Sequence, residues 1–246
     1  MGTTTQNRTN YQMGLSSMRI FLDTANTEII KDYFATGLVD GVTTNPTLIM
    51  KSGRDPLDVY QELKDLGVPD ISMEVMGSAD DMILEGRELY KKFGDVTTVK
   101  VPCTREGLVA CRALSKELIR VNVTLIFSIP QAVLSAKAGA TYVSPFVGRL
   151  DDQQVAGLEV VRGIADIYRI HGIRTQVLSA SIRNVHRAVR SWYNGADVVT
   201  MPPAVFNQMY DHILTDKGME LFEEDAKGIV RGENPVDMYK SQEFRK

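Results

Sequence analysis

Lys100 lies in the short β-prone run Val96-Thr97-Thr98-Val99-Lys100-Val101-Pro102. Along a strand successive side chains point to opposite faces, so Val99 and Val101 face one way and Lys100 the other. A primary amine on the inner face of a closed sheet is poorly hydrated. Burial favours its neutral form, and a neutral amine attacks carbonyl carbons to give a Schiff base. The plainer readings are a lysine paired with a carboxylate or one at an exposed strand end.

Other strands repeat the pattern. Ile71, Met73 and Val75 alternate with Ser72 and Glu74, and Val121, Val123 and Leu125 alternate with Asn122 and Thr124. In a barrel the apolar set faces the surrounding helices and the polar set faces inward. Barrel interiors are ordinarily filled by branched apolar side chains, and a polar interior costs stability unless its groups are hydrogen-bonded, so this one reads as an active site. Asp23, Asn45, Glu74, Lys100, Thr124 and Ser144 all fall near the carboxyl ends of their expected strands, the face where barrel enzymes place their sites. Singly, each could be a satisfied polar residue or a helix cap, and for Asp23 capping is as good a reading as catalysis. Their convergence on one rim favours a site.

An inward lysine with two separate carboxylates suits a Schiff-base carbon–carbon lyase or transferase. Glu74 with Thr124 could manage the protons and the water of imine formation through an ordered water. Asp23 could serve as base on the hydroxyl beside the bond to be cleaved. Arg149 and Arg183 follow the sixth and seventh expected strands, where barrel loops commonly bind phosphate and arginine offers two donors. Ser181 could add a hydroxyl, although each arginine also reads as a solvated surface charge.

These groups need a frame. Strands are expected at 19–23, 41–45, 71–76, 96–101, 121–127, 141–145, 175–179 and 198–201. Asp55-Pro56 opens one intervening helix, Thr104 precedes a run over 105–120, and Asp151 opens another reaching His171. Gly37, Gly139 and Gly172 stand where helices should stop. About eight strand–helix repeats argue for a (β/α)8 barrel, with a doubly wound open sheet as the alternative. The open sheet calls for a glycine-rich phosphate loop after the first strand, and Asp23-Thr24-Ala25-Asn26-Thr27 stands there instead. Further helices are expected near 203–210 and 216–230.

The 246 residues carry a net charge of -3, which gives no general attraction to nucleic acid or membrane. Two cysteines, Cys103 and Cys111, and three scattered histidines fit neither a disulfide framework nor a metal site. A reduced, cytosolic protein without metal is the expectation. Residues 1–17 are polar and read as a disordered extension, 18–230 as the catalytic barrel with its C-terminal helix, and 231–246 as a polar tail.

The motifs Phe21-Leu22-Asp23-Thr24-Ala25, Thr43-Thr44-Asn45-Pro46-Thr47, Thr98-Val99-Lys100-Val101-Pro102, Asn122-Val123-Thr124-Leu125-Ile126-Phe127-Ser128, Ser144-Pro145-Phe146-Val147-Gly148-Arg149 and Ala180-Ser181-Ile182-Arg183 resemble, in order and spacing, the transaldolase family. By length the chain is similar to the small subfamily that also holds the fructose-6-phosphate aldolases. The resemblance implies a cofactor-free barrel in which Lys100 forms the Schiff base with a ketose phosphate and Asp23 is the acid/base for cleavage. It implies that Glu74 and Thr124 hold the catalytic water. Thr43, Asn45, Asn122 and Ser144 would then bind sugar hydroxyls or position the intermediate, and Arg149, Ser181 and Arg183 would hold the phosphate. The implied reaction moves a dihydroxyacetone unit from sedoheptulose 7-phosphate or fructose 6-phosphate to an aldose phosphate, in the non-oxidative pentose phosphate pathway. Members of this type assemble into pentameric rings or decamers through the C-terminal helix, and Met219, Leu221 and Phe222 offer apolar surface for such a contact or for packing within the subunit.

Two positions divide the subfamily. The aldolases carry glutamine at the position of Glu74 and tyrosine at that of Phe146. A tyrosine hydroxyl can help water or protons reach the bound intermediate; a phenyl ring cannot, so the intermediate is expected to wait for an acceptor. Ile182 departs from the family's usual phenylalanine. A glycoside hydrolase would also use two carboxylates, here Asp23 and Glu74, but has no need of Lys100 and would line its cleft with aromatics, whereas the chain has one tryptophan, Trp192. A non-catalytic sugar-phosphate-binding barrel would keep Arg149 and Arg183 but could lose Lys100, Asp23 or Glu74, and the presence of all three counts against it.

Overall fold

Short β-branched runs alternating with amphipathic stretches fold as a closed barrel in a computed structural model that describes residues 18–227. The strands are Arg19–Asp23 (β1), Gly41–Thr43 (β2), Ile71–Glu74 (β3), Thr97–Pro102 (β4), Arg120–Ile126 (β5), Tyr142–Pro145 (β6), Gln176–Ser179 (β7) and Val198–Met201 (β8). Each pairs in parallel with the next in sequence, and β1 pairs with β8 to close the ring. The connecting helices are Thr27–Phe34 (α1), Pro46–Ser52 (α2), Pro56–Asp65 (α3), Ala79–Phe93 (α4), Arg105–Lys116 (α5), Ile129–Ala138 (α6), Val147–Asp152 (α7), Gly157–Ile170 (α8) and Val185–Tyr193 (α9), with Pro203–Asn207 (α10) after β8. The chain is therefore a (β/α)8 barrel, as the repeats predict.

Helix patterning explains the outer layer. Helix α5 buries Gly107, Ala110, Cys111 and Leu114, the single face produced by three- and four-residue steps. Its N-cap Thr104 accepts from the Gly107 N–H at 3.0 Å, and Asp55 caps α3 through the Leu57 N–H at 2.8 Å. Gly37, Gly139 and Gly172 take the positive φ values expected of helix stops.

Four local expectations are corrected. The run over 105–120 stops at Lys116, because Leu118 turns to a φ of 63° and Arg120 opens β5. Asp151 does not open a helix to His171; it lies in the last turn of α7, which ends at Asp152, and its Oδ1 accepts from the N–H of Gly157, where α8 begins. Strand β2 ends at Thr43, which leaves Asn45 as the N-cap of α2. The alternation in β5 ends at Thr124, since Leu125 has a φ of 57° and the register with β6 shifts between Val123 and Ile126.

Inside the barrel, Phe21, Tyr142, Leu178, Ala180 and Val198 pack as one apolar cluster. Gly41 lies where the Phe21 ring crosses the barrel, and a Cβ there would sit 2.6 Å from that ring. Beneath the cluster, at the strands' amino ends, Asp70 accepts from Thr98 Oγ1 at 2.7 Å, Tyr142 OH at 2.8 Å and Arg120 Nη1 at 2.6 Å. Arg19 extends this network by donating to Tyr142 OH and Gln176 Oε1. The apolar cluster and this polar plug close the lower barrel, so the open space lies at the carboxyl end.

A second unit begins at Met209 and contains the helix Ile213–Lys227 (α11), in which Met219, Leu221 and Phe222 are more than half exposed. Among the described residues no helix is long and apolar enough to cross a membrane. The expectations for residues 1–17 and 231–246 lie outside the described residues.

Candidate active site

Strand register brings the central groups to one level. Glu74 on β3 is in register with Lys100 on β4, and Lys100 with Asn122 on β5. Lys100 Nζ lies 2.9 Å from Glu74 Oε2 and donates to the Thr44 carbonyl at 2.9 Å. The two charged side chains are 6% and 12% exposed, so solvent screens their attraction poorly. A buried ion pair alone fits a structural role as well as a catalytic one. What distinguishes this pair is its setting: Lys100 borders a cavity of about 110 Å³ that Asp23, Asn122, Thr124 and Ser144 also line.

Asp23 ends β1. The cap of α1 is Asn26, whose side chain accepts from the Ile29 N–H, so Asp23 is not spent on capping. It accepts from Thr43 Oγ1 at 2.8 Å. Burial pushes its carboxyl above the usual aspartate range and the nearby Glu74 adds to this, while Lys100 and the Thr43 hydroxyl pull the other way.

Opposite, Ser144 Oγ donates to Asn122 Oδ1 at 2.7 Å, and Asn122 Nδ2 donates to Ser72 Oγ at 3.2 Å, which fixes the amide's orientation. Thr124 Oγ1 is buried and bonds to no described protein group, which leaves it for a polar group entering the cavity. Asn45 lines the cavity and caps α2 through the Leu48 N–H at 3.0 Å.

At the rim, Phe146 forms part of the wall and packs edge-on against Phe127, with ring centroids 5.8 Å apart. The Arg149 guanidinium lies 5.0 Å from the Phe146 ring centroid. Ser181 also lines the cavity, and its φ of 57° is strained for a residue with a Cβ. The first turn of α7 and the loop after β7 meet closely: the Gly148 N–H donates to Ser181 O at 3.0 Å, and a Cβ on Gly148 would fall 2.4 Å from that oxygen. Ile182 is buried beside them.

Ten of the twelve expected site residues thus line one cavity. Glu74 joins it through Lys100. Arg183 does not line it; both its terminal nitrogens donate to the Asp152 carboxylate. Two groups escaped the sequence reading. Thr200 lines the cavity and lies 2.6 Å from Thr43 Oγ1, but Val198-Val199-Thr200-Met201 lacks the polar alternation that marked the other strands. Thr44 acts through a backbone carbonyl, which has no side-chain signature. Neither cysteine resembles an activated thiol: burial raises Cys103 and pushes Cys111 up to about 12.

Residues 20–242 match the family described as Transaldolase/Fructose-6-phosphate aldolase. A protein of Caulobacter vibrioides named probable transaldolase is 53% identical over 209 residues, covering 85% of this chain and 96% of its own. One from Paracoccus denitrificans with the same name is 51% identical over 85% of this chain and 96% of its own. A third, from Symbiobacterium thermophilum, is 46% identical over 87% of this chain and 100% of its own. Among solved structures, the thiamine phosphate pyrophosphorylase of Pyrococcus furiosus aligns with a TM-score of 0.52 at 16% identity, over 77% of this chain and 88% of its own, a likeness of fold alone.

Proposed function

The chain belongs to the transaldolase/fructose-6-phosphate aldolase family, and on that premise we propose that it is a transaldolase acting through a Schiff base on Lys100. The observation that carries this reading is the Lys100 amine, buried between Glu74 and the Thr44 carbonyl and bordering a cavity whose other walls are carboxyl, amide and hydroxyl groups. Lys100 gives a proton to Glu74 and attacks the ketose C2 carbonyl. The carbinolamine then loses water, which Glu74 and Thr124 Oγ1 handle, to leave the iminium.

Asp23 next takes the proton of the C4 hydroxyl, the C3–C4 bond breaks, and its electrons move into the iminium to form an enamine. The aldose phosphate departs. In the second half the enamine carbon attacks the acceptor aldehyde and Asp23 returns the proton to the new hydroxyl. Hydrolysis of the imine releases the product ketose phosphate. Thr43, Asn45, Asn122 and Ser144 hold sugar hydroxyls; Arg149, Ser181 and Arg183 hold the phosphate, with Arg183 leaving Asp152 to do so.

Transfer is favoured over simple cleavage because Phe146 presents a phenyl ring to the cavity and Glu74 carries a carboxylate rather than an amide. The same reading assigns the enzyme to the non-oxidative pentose phosphate pathway in the cytosol, as a homo-oligomer for which exposed Met219, Leu221 and Phe222 supply apolar surface. The test is glyceraldehyde 3-phosphate release from fructose 6-phosphate with and without erythrose 4-phosphate. A transaldolase releases it only with the acceptor, and equal release without acceptor identifies a fructose-6-phosphate aldolase.

A further inference from the structure

We infer that Thr200 is a positioning residue for Asp23, acting through the Thr43 hydroxyl as a two-step relay, an inference that rests on the proton-carrying role proposed for Asp23. Thr43 Oγ1 lies 2.8 Å from Asp23 Oδ1 and 2.6 Å from Thr200 Oγ1. A hydroxyl has one proton to give, and an ionised carboxylate only accepts. Thr43 must therefore donate to Asp23, and the short contact with Thr200 is made only if Thr200 donates to Thr43. The order of donation is Thr200 to Thr43 to Asp23.

The strands dictate this geometry. β8 and β2 flank β1 in the ring, so Thr200 and Thr43 approach the inner face of β1 from its two sides. Thr43 and Thr200 are 2% and 3% exposed, so bulk water does not substitute for either hydroxyl. A lone threonine hydroxyl rotates among its staggered positions; one that receives a proton from a neighbour has its own proton directed elsewhere, here at Oδ1. Successive hydroxyl donors also polarise each other and strengthen the last bond. Oδ2 of Asp23 takes no hydrogen bond from the described residues, so the relay holds one oxygen and presents the other to the cavity.

The relay supports the ionised, basic form of Asp23 against burial and Glu74 on β3, alongside Lys100 on β4. Removing the Thr200 hydroxyl leaves those charges in place and weakens only the donated bond. The experiment is the pH profile of kcat/KM for fructose 6-phosphate with erythrose 4-phosphate in the parent, Thr200→Val, Thr200→Ser and Asp23→Asn proteins. Thr200→Val should move the acid limb to higher pH by about half a unit and lower kcat several-fold, since a carboxylate that loses donor strength protonates more readily. Borohydride trapping of the Lys100 imine should be unchanged, and Thr200→Ser should restore the parent profile.

A hydroxyl that merely fills space predicts that the near-isosteric Val variant keeps the parent profile. A superimposable limb, with Asp23→Asn still inactive, overturns the relay alone. Full activity of Asp23→Asn overturns the role of Asp23 and the relay with it. Should the Val variant fold poorly, Thr200→Ala makes the same comparison without added bulk.

Discussion

In the proposed reaction, Asp23 meets opposite demands for stability and for chemistry. Burial raises its carboxyl above the ordinary aspartate value. As pH rises past that ordinary value, the unfolded chain ionises first. Folding then bears a penalty that grows until the buried group ionises and stays constant above that pH. Asp23→Asn should therefore fold more stably than the parent at neutral pH. The gap in melting temperature should close as pH falls toward 4, while kcat drops by about 10²–10⁴. A variant less stable at neutral pH would contradict the account. Legibility at this scale followed chemistry. Lys100, Glu74 and Thr124 stood out because polar groups alternated with apolar ones on their strands. Thr200 did not, because a single hydroxyl among Val198, Val199 and Met201 is an ordinary strand residue.

The elements place these side chains with little slack. Gly148 lets the first turn of α7 touch Ser181, since any Cβ would meet the Ser181 carbonyl at 2.4 Å and Arg183 Nε at 2.8 Å. Gly148→Ala should push the start of α7 and the loop after β7 apart, cost about 1–3 kcal/mol in denaturant unfolding, and raise KM for fructose 6-phosphate. Imine trapping with unphosphorylated dihydroxyacetone should remain near parental, because the lysine lies on β4, away from that contact. Loss of both would show that this contact also shapes the amine's surroundings. At Thr104, which caps α5, alanine should cost about 1 kcal/mol with no change in kcat. Strands were legible to within a residue or two because their period is short and their flanks carry turn residues. The errors arose where backbone conformation overrode pattern, at Leu118 and Leu125 with their positive φ, and at Asp151, whose carboxylate serves the start of α8 from the end of α7.

Across the whole barrel, stability and chemistry occupy opposite ends. The plug of Arg19, Asp70, Arg120 and Tyr142 closes the amino-terminal end, and the candidate site opens at the other. Asp70→Ala should lower stability by about 3 kcal/mol, because it strands the Arg120 and Tyr142 donors. Turnover per folded molecule should be unchanged, and a loss of kcat would mean that the plug holds the site in register. The plug was not legible in advance: Asp70 precedes its strand, and Arg19 and Arg120 each open one, positions that read as ordinary surface charge. Every step of the proposed reaction depends on one buried lysine becoming covalently bound to substrate. The most direct test treats the protein with fructose 6-phosphate and borohydride, then maps the added mass by peptide mass spectrometry. The account predicts a reduced three-carbon or six-carbon adduct on Lys100 alone, absent in Lys100→Met; no adduct, or one on another lysine, would contradict it.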